Sequence, residues 1–311
     1  MNVTVLFGGP SSERQVSLVS GAAVIKALRE VGHTVFESDV SPTDLSGLDH
    51  KPVDVVFPVL HGEFGESGEL QEILEARRLP FVGSGSKASK LGINKATTKV
   101  AWEKAGLPTP PYRVLTRADL GGDMAGGKVP DVGFSLAATA VKALDAGSSI
   151  DVHICKTQDA TVKAIREILA KHEQVLVEKY IKGPELTVGL LEEKALAPIR
   201  IIPTTEFFDY EAKYQRPDTQ HKFDTGLPEA TVKLCQQLAE KANAVVGAVD
   251  LARIDVMLDE ADGLKPYLLE INTLPGFTPK SLLPEAAAHS GVNFGALVDR
   301  LVKRAAARGA R

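Results

Sequence analysis

Short apolar runs alternate with amphipathic stretches along the first third of the chain. Residues 3–7, 33–37, 53–58 and 81–82 read as strands, with helical periodicity from 11 to about 30 and over 69–77. Ser11 or Ser12 is placed to cap the first of these helices. Strands alternating with helices predict a mostly parallel, doubly wound sheet. Such sheets take ligands beyond the carboxyl ends of their strands, where Gly8-Gly9 and His61-Gly62 fall. A helix over 94–105 stops at Gly106-Leu107-Pro108, and Thr109-Pro110-Pro111 reads as a linker. A Gly- and Asp-rich loop follows at 118–133. Strands are expected at 136–143, 152–156 and 174–180, with a helix over 160–171. Beyond them come strands at 186–191 and 197–203, a polar loop at 206–225, and helices at 229–246 and 292–306.

The pattern carries most chemistry between residues 252 and 279. Two strand-like runs, 252–258 and 266–271, flank Asp262-Gly263, a hairpin signal. Strand side chains alternate faces, so Arg253 and Asp255 share one face of the first strand, and Glu270 and Asn272 one face of the second. Ile254, Val256, Leu269 and Ile271 take the opposite, buried face. Two carboxylates brought together repel unless a cation sits between them. Oxygen donors of this kind suit Mg²⁺, held by one or two carboxylates plus substrate phosphates.

Composition narrows the field further. A chain of 311 residues with 44% hydrophobic and 24% charged residues is ordinary for a globular protein of two or three domains. A net charge of −4 argues against a nucleic-acid binder. Cys155 and Cys235 stand alone, outside any disulfide or zinc pattern. No window reaches the ~18 apolar residues of a membrane span, and MNVTVLFGG lacks the features of a signal peptide. The expected compartment is the cytoplasm.

Several further residues have both a plain and a chemical reading. Glu13 either complements a helix dipole or receives an ammonium group. Lys95, Lys142, Glu178, Lys179 and Glu185 would singly be surface residues. Lys142, however, lies in an apolar run where a buried ammonium needs an anion such as phosphate. Glu178-Lys179-Tyr180-Ile181 ends an apolar strand in a way that suits an adenine pocket. Residues 145–149 form either a simple hairpin loop or a phosphate nest. The polar loop with Phe208-Asp-Tyr-Glu-Ala-Lys213-Tyr214 is longer than compact domains usually carry. Thr273-Leu-Pro-Gly276 follows the hairpin directly, so the Gly276 N–H beside Arg253 would suit an oxyanion.

Together these segments resemble the D-alanine–D-alanine ligase family of the ATP-grasp superfamily. The resemblance runs almost end to end. It rests on GGPSSERQVSLVSG (8–21), HGEFGESGELQ (61–71), VGSG (82–85), GSS (147–149), VLVEKYIKGPELTV (175–188), FDYEAKY (208–214), ARIDVML (252–258) and LEINTLPGFTP (269–279). It implies an α/β protein in which a doubly wound N-terminal domain (1–94) precedes a central ATP-grasp subdomain (95–184) and a C-terminal ATP-grasp domain (185–311). The implied reaction ligates two D-alanines through an acyl phosphate, supplying cell-wall precursor synthesis. By the same resemblance Glu13 binds the first substrate's ammonium and is linked through Ser148 to Tyr214. Arg253 and Gly276 hold the oxyanion, Ser281 and Leu282 meet the second substrate's carboxylate, and His61 lies near the attacking amine. Lys95, Lys142, Glu178, Lys179, Ile181, Glu185 and Lys213 contact ATP. Asp255, Glu270 and Asn272 ligate two Mg²⁺ ions, with Mn²⁺ the alternative. A homodimer is implied. Tyr214 favours the dipeptide, since ester-forming relatives carry phenylalanine there.

Three positions depart from the family: Ala143 where proline is usual, Asp151 where glycine is usual, and Ser67 where aspartate is common. Asp151 is expected to add negative charge near the nucleotide and to restrict the backbone. A ligase for another amino-acid pair, or a catalytically impaired relative, are the competing readings.

Overall fold

The computed structural model describes residues 1–121, 128–145, 151–202 and 220–311. Three sheets organise them. The first is parallel, in the order β2-β1-β3, from β1 (Asn2–Gly8), β2 (Thr34–Val40) and β3 (Val55–Pro58). The run at 81–82 adds one parallel bridge, Phe81 to Val56, rather than a strand. Helix α1 (Arg14–Glu30) lies between β1 and β2, and α2 (Glu69–Ala76) follows β3. The serines do not cap α1. Glu13 occupies the capping position, without a side-chain cap bond. Ser11 Oγ instead accepts the Glu13 N–H at 3.2 Å and donates to the His61 carbonyl at 2.6 Å. The serine thus ties the β1–α1 turn to the loop after β3, a tertiary partner that competes with local capping.

Two short helices lead onward: α3 (Ser86–Ile93), which carried no clear periodic signal, and α4 (Lys95–Lys104). Asn94 caps α4 by accepting the Thr97 N–H. The second sheet is antiparallel, in the order β4-β7-β5-β6, from β4 (Tyr112–Thr116), β5 (Thr139–Lys142), β6 (Val152–Cys155) and β7 (Gln174–Lys179). Helix α5 (Gln158–Lys171) covers one face, burying Ala164, Ile165, Ile168 and Leu169 against Val141, Val175 and Val177.

The third sheet runs β11-β10-β8-β12-β13, with a short β9 paired to β8. Its strands are β8 (Glu185–Leu191), β9 (Lys194–Ala195), β10 (Ile199–Ile202), β11 (Gln220–Lys222), β12 (Leu251–Asp259) and β13 (Lys265–Asn272). Helix α6 (Glu229–Val246) backs it, and α7 (Leu282–His289) and α8 (Phe294–Arg308) close the chain. Trp102 of α4 is fully buried here and donates its indole N–H to the Ala242 carbonyl. Gly183, just before β8, approaches so closely that a Cβ would fall 1.9 Å from the Leu258 carbonyl oxygen. Only glycine fits there.

The last helix does not stay with the sheet it follows. Leu297, Val298, Leu301 and Val302 of α8 join Val3, Val5, Val24, Leu28 and Phe57 in one core. Below it, Asp250 is fully buried and binds Arg304 Nε at 3.1 Å, Arg308 Nη1 at 2.5 Å and the Gly83 N–H at 2.9 Å. One carboxylate therefore joins α8, the turn before β12 and the loop after Phe81.

Candidate active site

The β12–β13 hairpin pairs the four polar residues rung against rung. Arg253 opposes Asn272 and Asp255 opposes Glu270. Directly opposite side chains in an antiparallel pair stand about 4.5–5.5 Å apart at Cβ. A bulge follows at once: Val256 pairs with Leu268, so Leu269 is the extra residue. This corrects the expected core face. Leu268, not Leu269, is fully buried with Ile254, Val256 and Ile271, because the added residue flips the alternation.

Cations already accompany both carboxylates. Arg253 meets Asp255 through Nε and Nη2, each at 3.0 Å, and Thr187 of the neighbouring β8 donates to Asp255 at 2.6 Å. Lys95, at the start of α4, brings Nζ to 3.6 Å from Glu270. Among the described residues, no three His, Cys, Asp or Glu side chains gather as a dedicated metal cage. Two carboxylates on one rung and an amide on the next rung of the same face fit an ion that arrives with phosphate oxygens to complete its shell.

A second charged cluster lies on the central sheet. The anion expected for Lys142 is a protein carboxylate: Glu178 Oε1 lies 2.6 Å from Lys142 Nζ. Lys99, from α4, reaches Glu178 Oε2 at 2.7 Å from the other side. Burial pushes the Glu178 carboxyl up, but the two ammonium groups outweigh it and hold it below the usual carboxylate range. Neither oxygen makes an aligned hydrogen bond, so lone pairs remain for another donor. Burial opposes the charge on Lys142, yet Glu178, Glu270 and Glu185 raise its affinity for the proton. Lys142, Glu178, Glu185 and Glu270 thus share one field. Ile181 is buried beyond β7, whereas the Lys179 side chain is exposed.

The N-terminal residues form a third group. Glu13 and His61 are buried. Gly62 has φ +65°, and a Cβ there would stand 3.1 Å from Glu13 Oε2. His61 Nδ1 lies 3.3 Å from the Leu274 carbonyl and 3.6 Å from Glu66 Oε1, linking the first sheet to the loop after β13. Burial disfavours the imidazolium, but Glu66 and Glu13 outweigh it, so His61 binds its proton more tightly than usual. Burial in turn pushes Glu66 up. In that same loop, Ser281 Oγ accepts the Thr278 N–H at 3.0 Å and lies 3.4 Å from where a Gly276 Cβ would be. Leu282 opens α7 immediately after Ser281.

Sequence reasoning missed Lys99 and Glu66 as members of these clusters. Lys99 was legible in principle, since it follows Lys95 by one helical turn and shares its face. Ser148, Lys213 and Tyr214 lie outside the described residues.

The three departures find local reasons. Asp151 keeps the left-handed backbone that glycine favours, with φ +52°. Its carboxylate turns to the end of α5, meeting Lys171 Nζ at 2.8 Å and His172 Nε2 at 2.9 Å. The negative charge expected beside the nucleotide is therefore engaged elsewhere. Ala143 donates its N–H to the Asp151 carbonyl at 3.0 Å, a bond that proline cannot make. Ser67 Oγ accepts the N–H of Phe64, itself at φ +69°.

Buried lysines paired with carboxylates on two antiparallel sheets, with two further carboxylates facing each other on the β12–β13 hairpin, define an ATP-dependent ligase of the ATP-grasp type. Family models described as D-ala D-ala ligase C-terminus and D-ala D-ala ligase N-terminus match residues 101–303 and 36–84. A D-alanine–D-alanine ligase of Anaeromyxobacter dehalogenans is 41% identical over 98% of this chain and 96% of its own length. D-alanine–D-alanine ligase B of Pseudomonas syringae pv. tomato is 42% identical over 95% of this chain and 90% of its own. Among solved structures, the Bacillus anthracis D-alanine–D-alanine ligase complexed with ATP superposes with a TM-score of 0.82 at 28% identity, covering 99% and 98% of the two chains. The chain belongs to the D-alanine–D-alanine ligase family.

Proposed function

We propose that this protein joins two molecules of D-alanine, using ATP, and so supplies the dipeptide for peptidoglycan synthesis. The observation that carries the reading is the register of the hairpin, which sets Arg253 beside Asn272 and Asp255 beside Glu270, with Lys95 at hand. In this proposal the carboxylate of the first D-alanine takes the γ-phosphoryl group, and the amine of the second displaces phosphate. Glu13 receives the first ammonium, Ser281 and Leu282 receive the second carboxylate, and His61 stands near the attacking amine. Arg253 and the Gly276 N–H stabilise the oxyanion, as preorganised donors do where charge develops. Lys95, Lys142 and Lys213 hold phosphates, while Glu178, Lys179, Ile181 and Glu185 hold the rest of the nucleotide.

Asp255, Glu270 and Asn272 would hold two Mg²⁺ ions, or Mn²⁺, whose charge offsets that of the triphosphate. Ser148 and Tyr214 complete the link from Glu13. The proposed units are 1–94, 95–184 and 185–311, each centred on one sheet. No helix among the described residues is long and apolar enough to cross a membrane. A cytoplasmic homodimer is proposed from the family resemblance. The engagement of Asp151 by Lys171 and His172 weakens the case for an impaired relative.

Phosphate release from ATP tests the reading directly. It is expected with D-alanine and to be at background with L-alanine or with no amino acid. Release indifferent to D-alanine would remove the proposal. Tyr214→Phe is expected to raise the share of D-alanyl–D-lactate when D-lactate competes as second substrate, read by product chromatography. An unchanged product ratio would exclude this residue from specificity.

A further inference from the structure

Among the described residues, Lys99 is the most deeply buried lysine, with 0% of its surface exposed. It has three partners. Its Nζ meets Glu178 Oε2 at 2.7 Å, donates to Thr109 Oγ1 at 2.5 Å, and sits 5.4 Å from the centroid of the Tyr112 ring. Thr109 Oγ1 in turn donates to the Leu268 carbonyl at 2.9 Å, and the Leu268 N–H returns to the Pro108 carbonyl. Leu268 stands at the bulge, two residues before Glu270. One ammonium therefore connects the strand end that carries Glu178 to the strand that carries Glu270.

Glu178 has a second cation, Lys142, at 2.6 Å. If Lys142 serves a phosphate, as proposed above, it must loosen this contact when nucleotide enters. A buried carboxylate that loses its sole partner bears an uncompensated desolvation cost. Glu178 does not face that cost, because Lys99 is fully buried, is held by Thr109 as well, and stays. Its lone pairs off the ammonium directions also remain open to an exocyclic amine of the base.

We propose that Lys99 is a positioning residue for nucleotide binding: it keeps Glu178 paired and fixed while Lys142 exchanges that carboxylate for a phosphate. The inference rests on the nucleotide reading of Lys142 and Glu178. It predicts a cost in ATP binding, not in chemistry, and a cost that exists only while residue 178 bears a charge.

The test compares Lys99→Met, Glu178→Gln and the double variant in the full chain. Steady-state constants for ATP and D-alanine are measured, together with ATP binding by calorimetry. Lys99→Met is expected to raise KM for ATP about tenfold, equivalent to about 1.4 kcal/mol. Its kcat and its D-alanine constants should stay within about threefold. In the Glu178→Gln background the same substitution should change ATP affinity less than about twofold, since residue 178 then carries no charge for Lys99 to hold. A folded Lys99→Met protein with unaltered KM for ATP overturns the proposal, as does an undiminished tenfold loss in the Glu178→Gln background. Should Lys99→Met not fold, an ATP affinity about tenfold weaker in the double variant than in Glu178→Gln still overturns the proposal. Glu178→Gln that binds ATP normally would instead remove the nucleotide assignment of Glu178, and the inference with it.

Discussion

Glu270→Gln is expected to lower the rate of D-alanine-dependent phosphate release by about 10³-fold or more while leaving the protein folded. The side chain keeps its volume and one carbonyl oxygen, so the β13 backbone and its pairing with β12 have no reason to move. What it loses is one of the two anionic oxygen donors that face each other on one rung, Glu270 opposite Asp255. Phosphoryl transfer relies mainly on positioning and on offsetting charge over the transferring group, so a missing anionic ligand acts on the rate. Removing one carboxylate also relieves repulsion with Asp255. Lys95, 3.6 Å from Glu270 and itself buried, then loses an anion, which offsets that relief. The melting temperature should therefore change little. Near-normal turnover would mean that the hairpin is not the phosphoryl-transfer site.

Asp250→Ala is expected to cost about 3 kcal/mol of unfolding free energy, the lower part of the range for breaking a buried charge cluster. The carboxylate is fully buried and satisfies Arg304, Arg308 and the Gly83 N–H together. Deleting it strands a backbone donor and leaves Arg304 only Glu192 and Glu193, and Arg308 only the Phe81 carbonyl. Arg304 and Arg308 are only partly buried and can regain water, which keeps the cost from reaching the upper part of the range. Alanine also tolerates φ +68° poorly, whereas Asp and Asn tolerate it better. Asp250→Asn should accordingly cost less than Asp250→Ala. Denaturant unfolding distinguishes the variants, and a change below about 1 kcal/mol for Asp250→Ala would show that the cluster contributes little.

Long periodic elements were the most legible. The helix at Glu229–Val246 appears with the expected bounds, and the strands of the hairpin differ from expectation by a residue or so. Such segments carry a repeated signal that one neighbour cannot reverse. Short elements divided: β3, β6 and α2 were expected, whereas β4, β11, α3 and α7 were not. β4, β11, α3 and α7 have between three and eight residues each, too few for a period to emerge from their composition. The bulge at Leu269 was hidden for another reason: two leucines in succession read alike, and only the register with β12 decides which enters the core.

The candidate site divides along the same line. Face alternation alone places Arg253, Asp255, Glu270 and Asn272 on one surface, because the period of a strand is two whatever surrounds it. The family resemblance adds Glu13, His61, Ser281 and the nucleotide contacts. Neither names the counterion of Lys142, the part of Lys99, or the direction in which Asp151 points. Those depend on contacts between segments 20 to 79 residues apart, as in Asp151 to Lys171 and Lys99 to Glu178. By itself the sequence determined the long periodic elements, which strand faces carry charge, and which family the chain resembles. The tertiary structure decided which charges neutralise one another and that the last helix completes the first core. Local periodicity records only a residue's own element, whereas a buried charge takes its partner from whatever packing brings within reach.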